Sequence, residues 1–484
     1  MILVNIIAIV GMVVGFGLIS YRKKAILAVF HSFILVSLAG LGAINLFTIQ
    51  NEFSQFAAWS NQTFAKEPET VFHFSQQGKN VLVIMLDRAV SSYLPYIFEE
   101  NPKLYADFSG FTFFPNCVSF GVETIKGMTP IFGGYEYTPY ERNKKDTELL
   151  VDEHNQALLL LPRLFREQQF SVTVTNPRFA NYSSDEPDLR IFDEYGGIKS
   201  ANIIGKFSDY WMIKHQNLHA ISISEVLTRQ LVRFSFFKFA PLLLRPIIYD
   251  NGRWLGAPSS EKFSKRTLDH YAVLDLLPEI SEITDDDTNT YTAIVNDLPH
   301  EPAFLETPGY TPADEPMNKG NGPFADEQHF HVNSASLLLL GQFFNWLKSQ
   351  NCYENTRIII TADHGWPVSV DSFPVLPDGV NSSFYNPLLL FKDFNAEGML
   401  LTDMTFMTNA DVPLLAVKDI ISEPVNPFTG VPLQAQKENG VVVTSSRRFS
   451  FRKYDKYQFD IKDTEWLYVH DDIFKPENWE RAKY

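Results

Sequence analysis

Apolar residues along the chain fall into short runs and into longer segments with helical spacing. The short runs are rich in β-branched residues, which predicts buried strands at 81–86, 111–120, 170–175, 357–361 and 387–391. The longer segments repeat their apolar positions with a helical period, which predicts helices at 91–100, 153–168 and 327–350. Strands that alternate with helices are typical of an α/β fold, so we expect a mostly parallel sheet flanked by helices.

Two long apolar runs lie at 2–20 and 25–49, with the basic sequence Tyr21-Arg-Lys-Lys24 between them. Each run has about the 20 residues that a helix needs to cross a bilayer. The positive-inside rule leaves the basic link in the cytoplasm and everything after residue 50 outside. These features predict a multi-pass protein of the plasma or inner membrane with an extracytoplasmic domain. A cleaved signal peptide fits less well, because no basic segment precedes Ile2 and no small-residue cleavage pattern precedes Tyr21.

The rest of the chain is predicted to divide into three parts. Residues 51–79 are polar and are predicted to form a linker. Residues 80–425 are predicted to form an extracytoplasmic catalytic domain, and residues 426–484 a peripheral C-terminal segment. Within the domain, 203–254 mixes large apolar with basic side chains, most densely between Arg233 and Arg245. This segment fits either an insertion at the membrane interface or a helix pair packed on the domain itself.

Composition narrows the possible functions. The chain has 484 residues, and its 45% hydrophobic content is ample for a core. Its net charge of -16 argues against nucleic acid as a partner, because binding a phosphate backbone needs a basic face. Its two cysteines, Cys117 and Cys352, exclude a disulfide framework and disfavour a thiolate zinc site.

Potential metal ligands follow two of the predicted strands. Asp87 ends the run 81–86, and Asp363-His364-Gly365 follows the run 357–361. In an open α/β sheet the ligand lies beyond the carboxyl ends of the strands, where these side chains would meet. A carboxylate beside an imidazole suits a divalent ion of the zinc or manganese type. The alternatives are that Asp87 caps the next helix and that the Asp-His pair only caps a loop.

A nucleophile and a further histidine are predicted from two loops. The Gly-rich segment 121–134 carries Thr124 and Thr129, either of which would expose a hydroxyl at a helix start beside a metal. His300 lies in a Pro-bounded loop at 296–302, where it could bind phosphate or stabilise a leaving oxygen. His331, at the start of the long helix, is a weaker candidate that could simply pack or cap.

Taken in order, these motifs resemble the alkaline phosphatase/sulfatase superfamily, and within it the membrane-anchored lipoteichoic acid synthases and phosphoethanolamine transferases. The resemblance implies one divalent metal, Mn²⁺ or Zn²⁺, bound by Asp87, Thr124, Asp363 and His364. It also implies that Thr124 is the nucleophile and His300 a substrate-binding histidine. The spacing from Thr124 to Gly133-Gly134 is similar to that in sulfatases, which favours Thr124 over Thr129.

The chain departs from this pattern at several points. It has Asp87 where the transferases usually have Glu, and Cys117-Val-Ser-Phe-Gly121 lacks the Pro and Arg needed for sulfatase formylglycine. A second full ligand set for a two-metal phosphatase is not found in the sequence.

The resemblance therefore implies a phosphotransferase that moves phosphoglycerol or phosphoethanolamine from a phospholipid to a cell-surface glycan or glycolipid through a phosphothreonine-type intermediate. One alternative is a phosphodiesterase or phosphatase that uses the same site with water as acceptor. Another is a catalytically silent lipid-binding relative, which the loss of Thr124, Asp363 or His364 would have favoured. All three residues are present.

Overall fold

The computed structural model describes residues 67–482 except 184–185, 216–236, 239, 243, 250–263, 314–315, 369–372 and 450–455, together with some positions between 11 and 48. The chain divides into two compact units. One comprises Met1–Glu67 and Met212–Lys262, and the other comprises Pro68–Trp211 and Phe263–Tyr484. Much of the predicted membrane segment 1–50, and most of the insertion 203–254, lie outside the described residues.

Among the helices of the described part, none is both long enough and apolar enough to span a bilayer.

The described residues form strands β1 Phe72–Ser75, β2 Asn80–Leu86, β3 Phe111–Phe113, β4 Cys117–Val118, β5 Ser171–Thr175, β6 Ile198–Ala201, β7 Ser281–Thr284, β8 Thr290–Asn296, β9 Thr356–Thr361, β10 Leu389–Lys392, β11 Leu401–Thr402, β12 Met407–Thr408, β13 Val441–Thr444, β14 Trp466–Val469 and β15 Trp479–Arg481. They also form helices α1 Leu94–Glu100, α2 Leu104–Asp107, α3 Thr124–Gly133, α4 Pro139–Asn143, α5 Leu150–Glu167, α6 Ser208–His215, α7 Arg245–Tyr249, α8 Lys265–Asp275, α9 Gln328–Ser349 and α10 Val412–Val417.

An eight-stranded sheet organises the larger unit, in the order β11-β3-β10-β9-β2-β8-β5-β6. Neighbouring strands from β9 to β6 are parallel, and β10 alone runs against the others. The mostly parallel α/β sheet predicted from the alternating pattern is confirmed. Such sheets need cover on both faces, which explains why the central strands read as continuous apolar runs.

Strand β2 is buried along its whole length because apolar layers cover both of its faces. Val81, Val83 and Met85 share a core cluster with residues of α5, including Leu160 and Phe165. The intervening leucine and isoleucine side chains of β2 are equally buried. Side chains alternate between the faces of a strand, so β2 lies at the centre of the fold and fixes the position of whatever follows Leu86.

The predicted strand 111–120 is wrong as a single element. It divides into β3, which belongs to the main sheet, and β4, which pairs only with β12 among the described strands. Pro115 lies between them. Because proline has no backbone N–H and a fixed φ, it interrupts the hydrogen bonding of a continuous strand. The interruption turns the chain away from the sheet and towards α3.

The C-terminal segment contributes a three-stranded antiparallel sheet, β13-β14-β15. Its apolar side chains share a core cluster with Phe120, Tyr135 and Tyr385. Gly121, just before α3, forms a parallel bridge to Thr444 at the end of β13. The segment therefore packs directly against the loop that leads into α3.

Candidate metal centre and nucleophile

Two adjacent parallel strands deliver the carboxylates of the site. β2 pairs with β9 so that Met85 lies beside Thr361, and Asp87 and Asp363 each follow two residues later. Ligand atoms of Asp87, Asp363 and His364 lie within 4.8 Å of one another, and all three residues are buried. This is the crevice beyond the carboxyl ends of the strands where α/β proteins bind their ligands.

The carboxylates have oxygen atoms free to bind a cation. Asp87 Oδ1 and Asp363 Oδ2 are buried and have no hydrogen-bond partner among the described residues. The other oxygen of Asp363 accepts the backbone N–H of Arg88 at 3.0 Å. Burying an unpaired carboxylate oxygen is costly, and a bound divalent ion would offset that cost. The residues present therefore fit a divalent metal.

His364 is oriented by the backbone beside it. Its Nδ1 lies 2.7 Å from the carbonyl oxygen of Gly365, and its Nε2 lies 3.5 Å from Asp363 Oδ2. A proton on Nδ1, shared with the carbonyl, leaves the Nε2 lone pair available for a metal. Gly365 is required there, because a β-carbon would come within 2.1 Å of the Ser383 carbonyl oxygen.

Electrostatics at Asp87 favour binding of a cation. Burial raises the pKa of Asp87, the neighbouring charge of Asp363 raises it further, and His300, His364 and Arg178 act in the opposite direction. Two carboxylates this close in a buried site repel each other when both are ionised. A divalent ion between them would remove that repulsion.

The two candidate threonines have different surroundings. Thr124 is the first residue of α3 and half-buried, and its hydroxyl donates to Asp87 Oδ2 at 3.4 Å. Thr129 is fully buried one turn later, where its hydroxyl donates to the Tyr137 carbonyl oxygen at 2.9 Å and accepts from Arg142. The structure thus brings Thr124, and not Thr129, to the acidic cluster.

His300 ends a short 3₁₀ turn, Leu298–His300, that follows β8. Its side chain is 28% exposed, and Nδ1 lies 3.3 Å from Glu301 Oε1. Burial alone would lower the pKa of His300, but the hydrogen bond to Glu301 and the charge of Asp87 outweigh it, so the pKa is raised. His300 therefore holds a proton over a wider pH range than a free histidine.

Sequence reasoning missed a cation at the centre. Arg88 directly follows Asp87, adopts a left-handed backbone with φ of 62°, and stacks its guanidinium 3.9 Å from the centre of the Trp366 ring. The only signal was its position next to a predicted metal ligand. His329, whose ring centre lies 5.0 Å from that of Trp366, also belongs to this region. By contrast, His331 is buried; its Nδ1 accepts the backbone N–H of Leu305 at 3.1 Å, and its Nε2 lies 2.8 Å from the carbonyl oxygen of Ala325.

Two further polar side chains, Asn409 and Arg178, belong to the surroundings of the metal-type ligands. Asn409, buried at the end of β12, donates from Nδ2 to the carbonyl oxygens of Gly127 at 2.9 Å and Asp363 at 3.2 Å. Arg178 pairs with the buried Asp297 at 3.0 Å. Nothing in the local sequence indicates this role for Asn409, because its hydrogen bonds go to backbone groups that only tertiary packing brings near.

No protein-family model and no curated protein matches the chain. Three solved structures are similar to this one. A superfamily protein from Vibrio parahaemolyticus is 12% identical, with a TM-score of 0.41 over 87% of this chain and 85% of the other. The lipoteichoic acid synthase LtaP from Listeria monocytogenes is 10% identical, with a TM-score of 0.41 over 84% of each chain. A phosphonate monoester hydrolase from Silicibacter pomeroyi is 13% identical, with a TM-score of 0.44 over 81% of this chain and 85% of the other.

Proposed function

We propose that the protein is a metal-dependent phosphotransferase that moves a phosphorylated head group, phosphoglycerol or phosphoethanolamine, from a phospholipid to a glycan or glycolipid of the cell surface. One observation carries the proposal: the Thr124 hydroxyl is hydrogen-bonded to Asp87 within a cluster that also holds Asp363 and His364. A half-buried hydroxyl beside buried metal-type ligands is the arrangement that an activated nucleophile needs.

Asp87, Asp363, His364 and the Thr124 hydroxyl would hold one divalent ion, Mn²⁺ or Zn²⁺. Such an ion supplies Lewis acidity and lowers the pKa of an oxygen bound to it. Thr124 lies at the first position of α3, where backbone N–H groups have no acceptor within the helix and favour a phosphate.

In the first half-reaction, the Thr124 oxygen attacks the phosphorus of the lipid phosphodiester. The bond from Thr124 Oγ1 to phosphorus forms, and the bond from phosphorus to the diacylglycerol oxygen breaks. The hydroxyl proton passes to Asp87, which accepts its hydrogen bond at 3.4 Å. The departing oxygen takes a proton from His300, whose raised pKa favours the protonated form.

In the second half-reaction, an acceptor hydroxyl attacks the same phosphorus and the bond to Thr124 breaks. The acceptor gives its proton to His300, and the Thr124 oxygen recovers its proton from Asp87, so both groups return to their starting states. The guanidinium of Arg88 offsets the negative charge on the transferring phosphoryl group. Water in place of the acceptor would give a phosphodiesterase from the same residues.

The two apolar runs at 2–20 and 25–49 support a location at the plasma or inner membrane, with multiple spans and the catalytic unit outside. That location gives the site access to a lipid donor and a surface acceptor.

The decisive experiment detects the covalent intermediate. The full chain in detergent is incubated with mixed phospholipids and Mn²⁺, and its peptides are mapped by mass. We expect an adduct on the Thr124 peptide of the wild type, none in Thr124→Ala, and an unchanged adduct in the matched control Thr129→Val. An adduct on Thr129, or no adduct with either Mn²⁺ or Zn²⁺, contradicts the proposal. Adding a glycan acceptor then distinguishes transfer, which labels the glycan, from hydrolysis, which does not.

A further inference from the structure

Two arginines and two aromatic rings form a continuous row that starts at the metal centre. The Arg88 guanidinium lies 3.9 Å from the Trp366 ring centre, and the Arg447 guanidinium lies 4.7 Å from the Phe384 ring centre. The two rings contact each other edge to face, with their centres 5.7 Å apart. We call these four residues the cation–aromatic row.

The row joins distant parts of the chain. Arg88 follows β2, and its backbone N–H bonds to Asp363. Trp366 follows the Asp363-His364-Gly365 turn, while Arg447 lies just after β13 in the C-terminal segment. The row therefore leads from the metal ligands to the surface, where Arg447 is exposed.

Among the described residues, neither guanidinium of the row forms an ion pair within 4.0 Å of a carboxylate side chain. Arg448, next to Arg447, provides a contrast because it pairs with Glu465. Nε of Arg88 is buried and has no hydrogen-bond partner among the described residues. Ring stacking holds a guanidinium in position and leaves its N–H groups available for an anion.

We propose that the cation–aromatic row binds a second phosphate of the substrate, separate from the one that reacts. The inference rests on the proposed function for the identity of the reacting phosphate, which Arg88 would contact beside Thr124. Arg447 then binds the other phosphate at the surface end of the row. The ligand class is a molecule with two phosphates joined by a short polyol, either free in solution or as a lipid head group.

The test measures binding without turnover. The full chain in detergent with Mn²⁺ is titrated calorimetrically with glycerol phosphate and with glycerol bisphosphate, and then with phosphatidylglycerol and cardiolipin in mixed micelles. We expect the wild type to bind the two-phosphate ligand about tenfold tighter, as one added charge-assisted contact would give. Tighter binding of glycerol bisphosphate than of glycerol phosphate indicates a free substrate. Tighter binding of cardiolipin than of phosphatidylglycerol, without a difference between the soluble ligands, indicates a lipid head group.

Two variants locate the effect. Arg447→Gln should remove the preference and leave the one-phosphate affinity unchanged, which also shows that the variant is folded. The matched control Arg448→Gln, which removes a neighbouring charge already paired with Glu465, should keep the preference. No preference in either wild-type pair, or a preference that survives Arg447→Gln, overturns the inference. The proposed function fails separately, by the absence of a Thr124 adduct, because binding requires no chemistry at Thr124.

Discussion

Gly127 of α3 packs directly against the backbone carbonyl of Asp363. A β-carbon at Gly127 would lie 2.1 Å from that oxygen, closer than any real contact between these atoms. The helix that begins with Thr124 can therefore approach the metal-type ligands only because residue 127 has no side chain. The distance between nucleophile and acidic cluster is set by this contact.

Gly127→Ala should push α3 away from Asp363 and move Thr124 out of reach of Asp87. A displacement of about 1 Å in a reacting group costs about a hundredfold in rate, so we expect a loss of transfer of that order. The measurement is the rate of adduct formation at Thr124. Gly196→Ala is the matched control, because a β-carbon there has open space, and it should keep the wild-type rate. Full activity of Gly127→Ala would show that the helix position is not critical.

Asn409 also holds Gly127 and Asp363 together. One amide group bonds to the carbonyl oxygens of both Gly127 and Asp363, so it ties α3 to the end of β9. Because Asn409 contacts neither the nucleophile nor the metal ligands' side chains by these bonds, it acts as a positioning residue.

We expect Asn409→Ala to lose stability by about 1–3 kcal/mol, as two buried acceptors lose their donor. It should also reduce kcat more than it weakens Mn²⁺ binding, since the ligand side chains remain. Chemical denaturation, kcat and metal titration measure these effects. Asn426→Ala removes another buried asparagine, one bonded to Glu136 and Tyr137, and should lose stability while keeping kcat. Equal activity losses in both variants would reduce Asn409 to a purely structural role.

The two strands that carry the metal-type ligands, and the meeting of their carboxyl ends, can be predicted from local sequence. Asp87 and Asp363 each end a β-branched run, and parallel pairing of such runs places their ends at one edge. Thr124 was favoured over Thr129 only through the family resemblance, because both lie in the same loop and local spacing cannot say which hydroxyl faces inward. The structure separates them through the hydrogen bond from Thr129 to Tyr137.

The remaining features depend on tertiary contacts. Pro115 marks a break, but the separate pairing of β4 with β12 requires the whole fold. The hydrogen bond from Asn409 to Gly127, and the stacking of Arg88 on Trp366, each join residues hundreds of positions apart. No periodicity in the sequence encodes such contacts.

Asp87→Asn should stabilise the metal-free protein and strongly weaken its stabilisation by metal. Asp87 and Asp363 are both buried and repel, and an amide at position 87 removes one of the charges. Mn²⁺ at about a hundred times its Kd should stabilise the wild type by about 2.7 kcal/mol, and the variant far less. Thermal unfolding with and without Mn²⁺ measures both effects. Asp297→Asn, which alters a buried carboxylate outside the cluster, should keep the response; an unchanged response in Asp87→Asn would remove Asp87 from the ligand set.

The pH dependence of activity should depend on Glu301. Burial lowers the pKa of His300, but its hydrogen bond to the Glu301 carboxylate and the charge of Asp87 raise that pKa overall, so the protonated form persists to higher pH. If the protonated ring serves the leaving oxygen, kcat/KM falls as pH rises through this pKa. Glu301→Gln removes one cause of the rise, so the falling limb of the profile should move to lower pH, and activity lost near neutrality should return in mild acid.

Two control variants make this last prediction specific to the pair. Arg266→Gln removes the cation 2.8 Å from Glu301 but keeps the carboxylate beside His300, so the limb should not move to lower pH. Glu282→Gln removes the carboxylate 3.5 Å from His73, in the small β1-β7 sheet, and should leave the profile unchanged. A profile of Glu301→Gln that is lower at every pH, with its limb in the wild-type position, would mean that Glu301 supports the fold and does not set the pKa of His300.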